Sequence, residues 1–210
     1  MEIVIFGATG LVGKQLVKQA LYKGHKVRAF ARDVFTADLP KDDMLEIVQG
    51  AVFDEKQVFN AIKGCDAVLA ALGGDITGND VTRSLGMKNI AGRMRKAGVN
   101  RIVAVGGVGS LNSADNDTLL MDEPEFPANL EAVSKEHHKA YEYLKSSDLA
   151  WTVVCAPDII DAEATGIFVT AADQLPIPNL NRINSGDLAL FMLNELEKNE
   201  FLHHRVGISN

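Results

Sequence analysis

The apolar run Ile3-Val4-Ile5-Phe6 leads directly into Gly7-Ala8-Thr9-Gly10-Leu11-Val12-Gly13, and the last of these glycines already lies in a helical pattern. A strand that breaks on glycine and restarts as a helix leaves unpaired backbone N–H groups at the positive end of the helix, where an anion binds. Each glycine has its own task. Gly7 permits the tight turn, Gly10 removes a side chain that would obstruct a pyrophosphate, and Gly13 lets the helix lie close to the strands. The spacing is G-x-x-G-x-x-G rather than G-x-G-x-x-G, so the strand–turn–helix context carries the inference more than the glycines alone.

The rest of the chain alternates in the same way. Short runs rich in Val, Ile and Ala at Ile3–Phe6, Lys26–Ala31, Leu45–Gln49, Ala67–Ala71, Arg101–Val105 and Trp151–Cys155 read as strands. Between them, Leu11–Tyr22, Glu55–Ile62, Asn79–Ala97 and Leu130–Lys145 read as helices. Alternating strands and helices imply βαβ units, and nearly all-apolar strands imply a sheet covered on both faces. Right-handed crossovers then make this an α/β fold with a doubly wound parallel sheet. Gly24, Gly64 and Gly98 follow the first three helices, where a left-handed residue ends a helix. Two stretches break the rhythm: Gly106–Asn129, which reads as a long acidic loop over the ligand-binding edge and part of a substrate cover, and Asp158–Gly186. The second is expected to hold short strands at Ile167–Thr170 and near Arg182–Ile183, before a helix at Asp187–Leu196 and a terminal strand at Arg205–Ile208.

A length of 210 residues suits one domain, and 47% hydrophobic with 23% charged residues is ordinary for a globular chain. The formal charge of −7 and the lack of a basic run argue against a nucleic-acid or anionic-membrane surface. Cys65 and Cys155 stand ninety residues apart with no His at ligand spacing, so neither a metal framework nor a disulfide scaffold is expected. Reduced thiols and the absence of a basic, apolar leader point to a cytoplasmic protein, and no segment is long enough to span a membrane.

The second strand ends Ala31-Arg32-Asp33, where a site for NAD usually has an acidic residue on the ribose. An Arg there forks onto a 2′-phosphate, which favours NADP while leaving NAD possible. With these residues in view, the chain resembles the atypical short-chain dehydrogenase/reductases with an NAD(P)H-binding, NmrA-like Rossmann domain, and is similar to the biliverdin-IXβ reductase/flavin reductase type. The resemblance runs through the glycine turn, Arg32-Asp33, Gly64-Cys65-Asp66-Ala67-Val68, Leu72-Gly73 and Asn89-Ile90. It continues in Gly98-Val99, Trp151-Thr152-Val153-Val154, Ala156-Pro157 and Ile183-Asn184-Ser185-Gly186-Asp187. It implies a single Rossmann domain over 1–210 of about seven parallel strands, with 158–186 as a small C-terminal substrate lobe. It implies cofactor contacts at Gly7, Thr9, Gly10, Leu11, Val12, Gly13 and Arg32, an adenine side near Ala51 and Val52, and a nicotinamide side at Ala71, Leu72, Gly73, Pro157, Asp158 and Ile159. Three positions depart from the family pattern. Thr36 stands near the place of a second Arg, Gly50-Ala51 replaces the Gly-Asp that ends the third strand, and Gly107 stands where the reductases have a Ser, with Ser110 three residues on.

Candidate catalytic positions are therefore His137, Gly107 and Ser110. Val133, His137, Ala140 and Leu144 share one helical face, which turns His137 toward the sheet near the ligand-binding edge. Ser134 and His138 fall near the places of the catalytic Tyr and Lys of typical short-chain dehydrogenases. Tyr141 and Lys145 match their Y-x-x-x-K spacing, yet lie on the order of 10 Å beyond Ser134 down the helix. A site without a proton donor suits a small-molecule acceptor that delocalises charge, such as a flavin, quinone or tetrapyrrole-like compound, over an alcohol/ketone pair. An NADP-binding, redox-sensing regulator without turnover is the alternative, and an epimerase-type enzyme is disfavoured. The chain is expected to be a monomer or weak homo-oligomer. His203-His204 has no partner at ligand spacing and is expected at the surface.

Overall fold

Alternate residues of the first strand, β1 (Glu2–Phe6), feed two different cores: Val4 and Phe6 one, Ile3 and Ile5 the other. This is why the strands are apolar at every position. The computed structural model describes residues 1–33, 38–75, 77, 79–114 and 118–210. After β1 come α1 (Leu11–Tyr22), β2 (Lys26–Ala31), β3 (Leu45–Gln49), α2 (Glu55–Ile62) and β4 (Ala67–Ala70). Next are α3 (Thr82–Ala97), β5 (Arg101–Gly107), α4 (Glu131–Lys145), β6 (Ala150–Ala156) and β7 (Asp158–Ile160). The chain closes with β8 (Val169–Ala172), β9 (Arg182–Asn184), α5 (Ser185–Lys198) and β10 (Arg205–Ser209).

The main sheet has the order β3-β2-β1-β4-β5-β6-β10-β8. Its pairings are parallel except at the edge, where β8 runs antiparallel to β10. Helices α2, α3 and α4 cover one face and α1 and α5 the other. The fold is thus a doubly wound, Rossmann-like α/β fold. Strand order reverses between β1 and β4, and the crevice at their carboxyl ends is where such a sheet takes its ligand.

Several boundaries move for local reasons. Helix α3 begins at Thr82 rather than Asn79, because the Asp80 carboxylate accepts the N–H groups of Thr82 (2.8 Å) and Asp75 (3.1 Å). The main sheet gains an eighth strand, and the strand expected at Ile167–Thr170 lies at Val169–Ala172 on that sheet's antiparallel edge. A strand not anticipated, β7, pairs with β9 in a separate two-stranded sheet.

The stretch expected as the loop Gly106–Asn129 is largely built. β5 continues through Gly107, and 3-10 turns follow at Val108–Ser110, Leu120–Asp122 and Ala128–Leu130. Asp115, Asn116 and Asp117 lie outside the described residues. Arg205 clamps this segment from β10: its guanidinium donates to the Ser110 carbonyl and to Asn112 Oδ1 (2.7 Å), and lies over the Tyr141 ring. Leu111 beside it is fully buried in the core. His203-His204 also has partners. His204 Nδ1 is 2.6 Å from Asp173 Oδ2, and the His203 ring stands edge-on to Trp151. Both cysteines are buried and free, and burial pushes their thiols up, to about 11 for Cys65 and about 12 for Cys155.

The segment 158–186 is tied down by one carboxylate. Asp187, fully buried at the start of α5, accepts from Thr165 N (2.7 Å) and Oγ1, Gly166 N (2.8 Å), Asn184 Nδ2 and Asn210 Nδ2 (2.8 Å). Burial alone would raise its pKa, but these donors outweigh it and hold the carboxyl below the usual range. A depressed folded-state pKa contributes stability that is present above the unfolded value near ~3.9 and is lost as pH falls through the folded value. Asp187→Ala leaves several donors unpaired and is expected to destabilise by roughly 2–4 kcal/mol at neutral pH. Urea unfolding of wild type and variant at stepped pH checks this: the difference should shrink as the solution becomes strongly acidic.

Candidate active site

The glycine turn is held between the ends of β2 and β4. Gly7 N donates to the Phe30 carbonyl (3.1 Å) and Ala71 N to the Phe6 carbonyl (2.9 Å). Gly7 has φ 77°, and a Cβ on it would lie 2.2 Å from the Ala71 carbonyl oxygen, so glycine alone fits. A Cβ on Gly13 would lie 2.0 Å from the Gly7 carbonyl oxygen. Gly13 therefore acts by letting α1 approach the turn, and it does not line the cleft. Gly10 is different: a Cβ there would meet nothing nearer than the Gly7 carbonyl oxygen at 3.5 Å. It caps α1 without any side chain, so the first N–H groups of the helix stay uncovered below open space. These features fit a pyrophosphate on the turn.

The cleft over the switch point has a volume of about 690 Å³. Gly7, Thr9, Gly10, Leu11 and Val12 form its centre. At the β2–β3 end, Arg32, Ala51 and Val52 line it. Arg32 is exposed and makes no ion pair or side-chain hydrogen bond among the described residues; Gln49 Nε2 holds its carbonyl (3.0 Å). The family's carboxylate contact at position 51 is absent, and the Ala51 N–H is taken by Gln57 Oε1 (2.8 Å). Thr36, the place of a second Arg, lies outside the described residues.

At the opposite end Ala71, Leu72, Gly73, Val105, Ile159 and His137 meet. Of the three residues expected after β6, only Ile159 lines the cleft, whereas Pro157 and Asp158 do not. Side chains alternate along β7, so the exposed Asp158 turns away from the face that Ile159 presents. Gly107 and Ser110 also stay outside the lining. Ser110 is 1% exposed, its hydroxyl has no partner among the described residues, and the 3-10 turn carries it under the surface. None of the described residues of 106–129 lines the cleft, because Arg205 and Leu111 draw the segment toward the core.

Gly107 acts through its neighbour. A Cβ there would lie 3.0 Å from His137 Cδ2 and 3.3 Å from Cγ, so the imidazole occupies the space a serine would need. The missing serine and the inward histidine are one arrangement. His137 has no hydrogen-bond partner among the described residues. Burial first, and then the charge of Arg83, pull its pKa down to about 3. Near neutral pH it is a neutral imidazole with one donor and one acceptor nitrogen, and its remaining N–H is far too weak an acid to protonate a product.

Tyr141 is buried in the core, edge-on to Trp151 with ring centroids 5.6 Å apart, and does not line the cleft. Lys145 lies over the Tyr141 ring. Ser134 is buried beneath Gly109, and His138 lies beside Tyr141 with Glu142 at 3.8 Å. Arg83, which sequence reasoning passed over, is a buried cation in the cleft wall. Its position in a polar stretch at a helix start has no signature that would single it out. Among the described residues no three His, Cys, Asp or Glu side chains are placed to hold a metal ion, and no helix is long and apolar enough to cross a membrane.

Gly10→Val should abolish dinucleotide binding, because the added side chain fills the open space above the helix start. Titration with NADPH, alongside a thermal melt close to that of wild type, checks this; normal binding would place the dinucleotide off this turn.

The family described as NAD(P)H-binding matches residues 7–199 of the chain. The uncharacterised protein YwnB of Bacillus subtilis is 28% identical over 99% of this chain and 98% of its own length. A Streptococcus pneumoniae structure provisionally described as an NADH-flavin reductase superposes with a TM-score of 0.86 at 25% identity, covering 100% of this chain and 99% of that one. A Burkholderia pseudomallei structure provisionally described as an exported protein gives 0.85 at 30% identity over 100% of both chains. Several longer relatives are matched over only 26–57% of their own length. Matched across its switch-point cleft and glycine turn, the chain belongs to the NAD(P)H-binding family of the atypical short-chain dehydrogenase/reductase type.

Proposed function

We propose that this protein is an NAD(P)H-dependent reductase that passes hydride to a flavin or similar conjugated acceptor, with NADP(H) preferred. The observation that carries the reading is the make-up of the nicotinamide end. Apolar Leu72, Val105 and Ile159 surround a neutral His137, and the hydroxyls in the described lining are only those of Thr9, on the turn, and Thr82. An alcohol/ketone pair needs an acid aligned with the developing alkoxide, while a conjugated acceptor spreads the charge and takes its proton from solvent. When bound, the dinucleotide supplies hydride from C4 of its dihydronicotinamide ring. The chain's part is to seat the phosphates on Gly7–Val12, hold the ring end against apolar walls and limit water there. The Streptococcus pneumoniae relative's description supports the flavin reading.

Arg32 supports the NADP preference, since its guanidinium, without a side-chain partner among the described residues, stands at the adenine end of the cleft. A charge-assisted contact to a 2′-phosphate should give about tenfold tighter binding of NADPH than NADH, lost in Arg32→Ala. Titration of both cofactors into both proteins checks it. The activity is tested by steady-state oxidation of NADPH with FMN, riboflavin and small quinones. Tight NADPH binding with oxidation by none of them would favour a regulator without turnover. Because Tyr141 lies in the core, Tyr141→Phe should leave any oxidation within about threefold of wild type, whereas a catalytic acid in that place would cost roughly a hundredfold or more.

A further inference from the structure

Arg83 is the one cation in the cleft wall that has been withdrawn from water, being 9% exposed at the start of α3. Nη1 donates to the Asp75 carbonyl (2.9 Å), Nη2 to the Gly74 carbonyl (3.0 Å), and Nε has no acceptor among the described residues. Each outer nitrogen keeps a second N–H. Asp75, Asp80 and Glu136 are near enough to act on its charge, but none forms an ion pair with it within 4.0 Å. Glu136 is instead held by Ser84 and Lys139. The backbone carbonyls fix the guanidinium in place, while the Asp80, Asp75 and Glu136 carboxylates support its charge from beyond ion-pair distance. It stands beside His137, whose imidazole feels its charge and whose ring nitrogens have no partner among the described residues. Gly107, by having no side chain, leaves room for that ring.

We propose that Arg83 and His137 form a subsite for the oxygen on which negative charge appears during reduction, so that the acceptor is a conjugated carbonyl compound of the quinone or flavin class. This rests on the reductase reading above. The acceptor takes hydride, two electrons with one proton, at one end of its conjugated system as the C4–H bond of the reduced nicotinamide breaks. The electron pair displaced through the conjugated system ends on the carbonyl oxygen. Arg83 holds that oxygen by charge and His137 by a neutral N–H, and a solvent proton then completes the reduction. A fixed donor array aimed at developing charge reorganises little during the step. Sequence reasoning alone points to a site lacking a proton donor; this pair shows what the site has in its place.

The first test needs no turnover. The protein saturated with NADP⁺ is titrated with 1,4-naphthoquinone and with 2-hydroxy-1,4-naphthoquinone, whose oxygen is ionised at neutral pH. Wild type should bind the oxyanion about tenfold more tightly, and Arg83→Gln should bind the two alike. Equal binding of the two by wild type overturns the proposal even if no variant folds. The second test compares reduction of 1,4-naphthoquinone with that of N-methylphenazinium, a cation whose charge disappears on taking hydride. Arg83→Gln should slow the quinone by about a hundredfold and leave the phenazinium no slower, with Arg83→Lys recovering part of the quinone rate. An equal loss with both acceptors would reduce Arg83 to a clip on the 74–75 backbone and overturn the proposal. Oxyanion preference without turnover on any acceptor would support the subsite and overturn the reductase reading instead.

Discussion

Everything in this molecule is arranged around the approach of Gly7 to the Ala71 carbonyl. That contact, too close for any Cβ, lets β1 end and α1 begin within the width of the gap between β2 and β4. It places the bare start of α1 over the switch point of the sheet. The same crowding recurs one turn later, where Gly13 lies against the Gly7 carbonyl. This bare seat at the helix start is thus a product of backbone packing, with no charged side chain at its centre.

From that seat the cleft runs to two ends of different character. Toward β2 and β3 it is lined by Arg32, Asp33, Ala51, Val52 and Phe53, with the Phe6 and Phe30 rings tilted against each other below it, centroids 4.9 Å apart. Toward β5 and α4 it narrows onto apolar side chains, His137 and Arg83. The division follows from the order of the sheet: the strands on either side of β1 present different helices to the cleft. The second half of the chain serves this end. Asp187 holds 165–166 and Asn210 together, and Ile159, paired with Ile183 on β9, reaches the cleft.

The β5–α4 end of the cleft turns on a substitution that looks like a loss. Gly107 removes the hydroxyl that related reductases are expected to have, and the imidazole of His137 takes the space. Burial and the charge of Arg83 then keep that imidazole neutral. A neutral histidine beside a fixed cation suits the binding of an oxygen that becomes negative, and is ill suited to giving that oxygen a proton.

Local signals made much of this legible in the sequence. The strands Lys26–Ala31 and Leu45–Gln49 and the helices Leu11–Tyr22 and Glu55–Ile62 have the bounds that their periodicity predicts, because apolar spacing and turn residues act over a few positions. The glycine turn declared itself through Gly7 and Gly13, which no other residue could replace. What the sequence could not decide depends on distant contacts. The 106–129 segment looks like a loop until Arg205, some ninety positions away, is seen to hold it. Ser110 and Asp158 sit near the site in sequence and turn away from it in space, since a buried 3-10 turn and an alternating strand set where they point. Arg83 carries no motif, and its character as a buried, unpaired cation exists only once α3, α4 and the 74–75 backbone are packed together. The sequence determined the fold and the glycine turn through local, nearly context-free constraints, and tertiary packing alone decided which side chains face the β5–α4 end of the cleft.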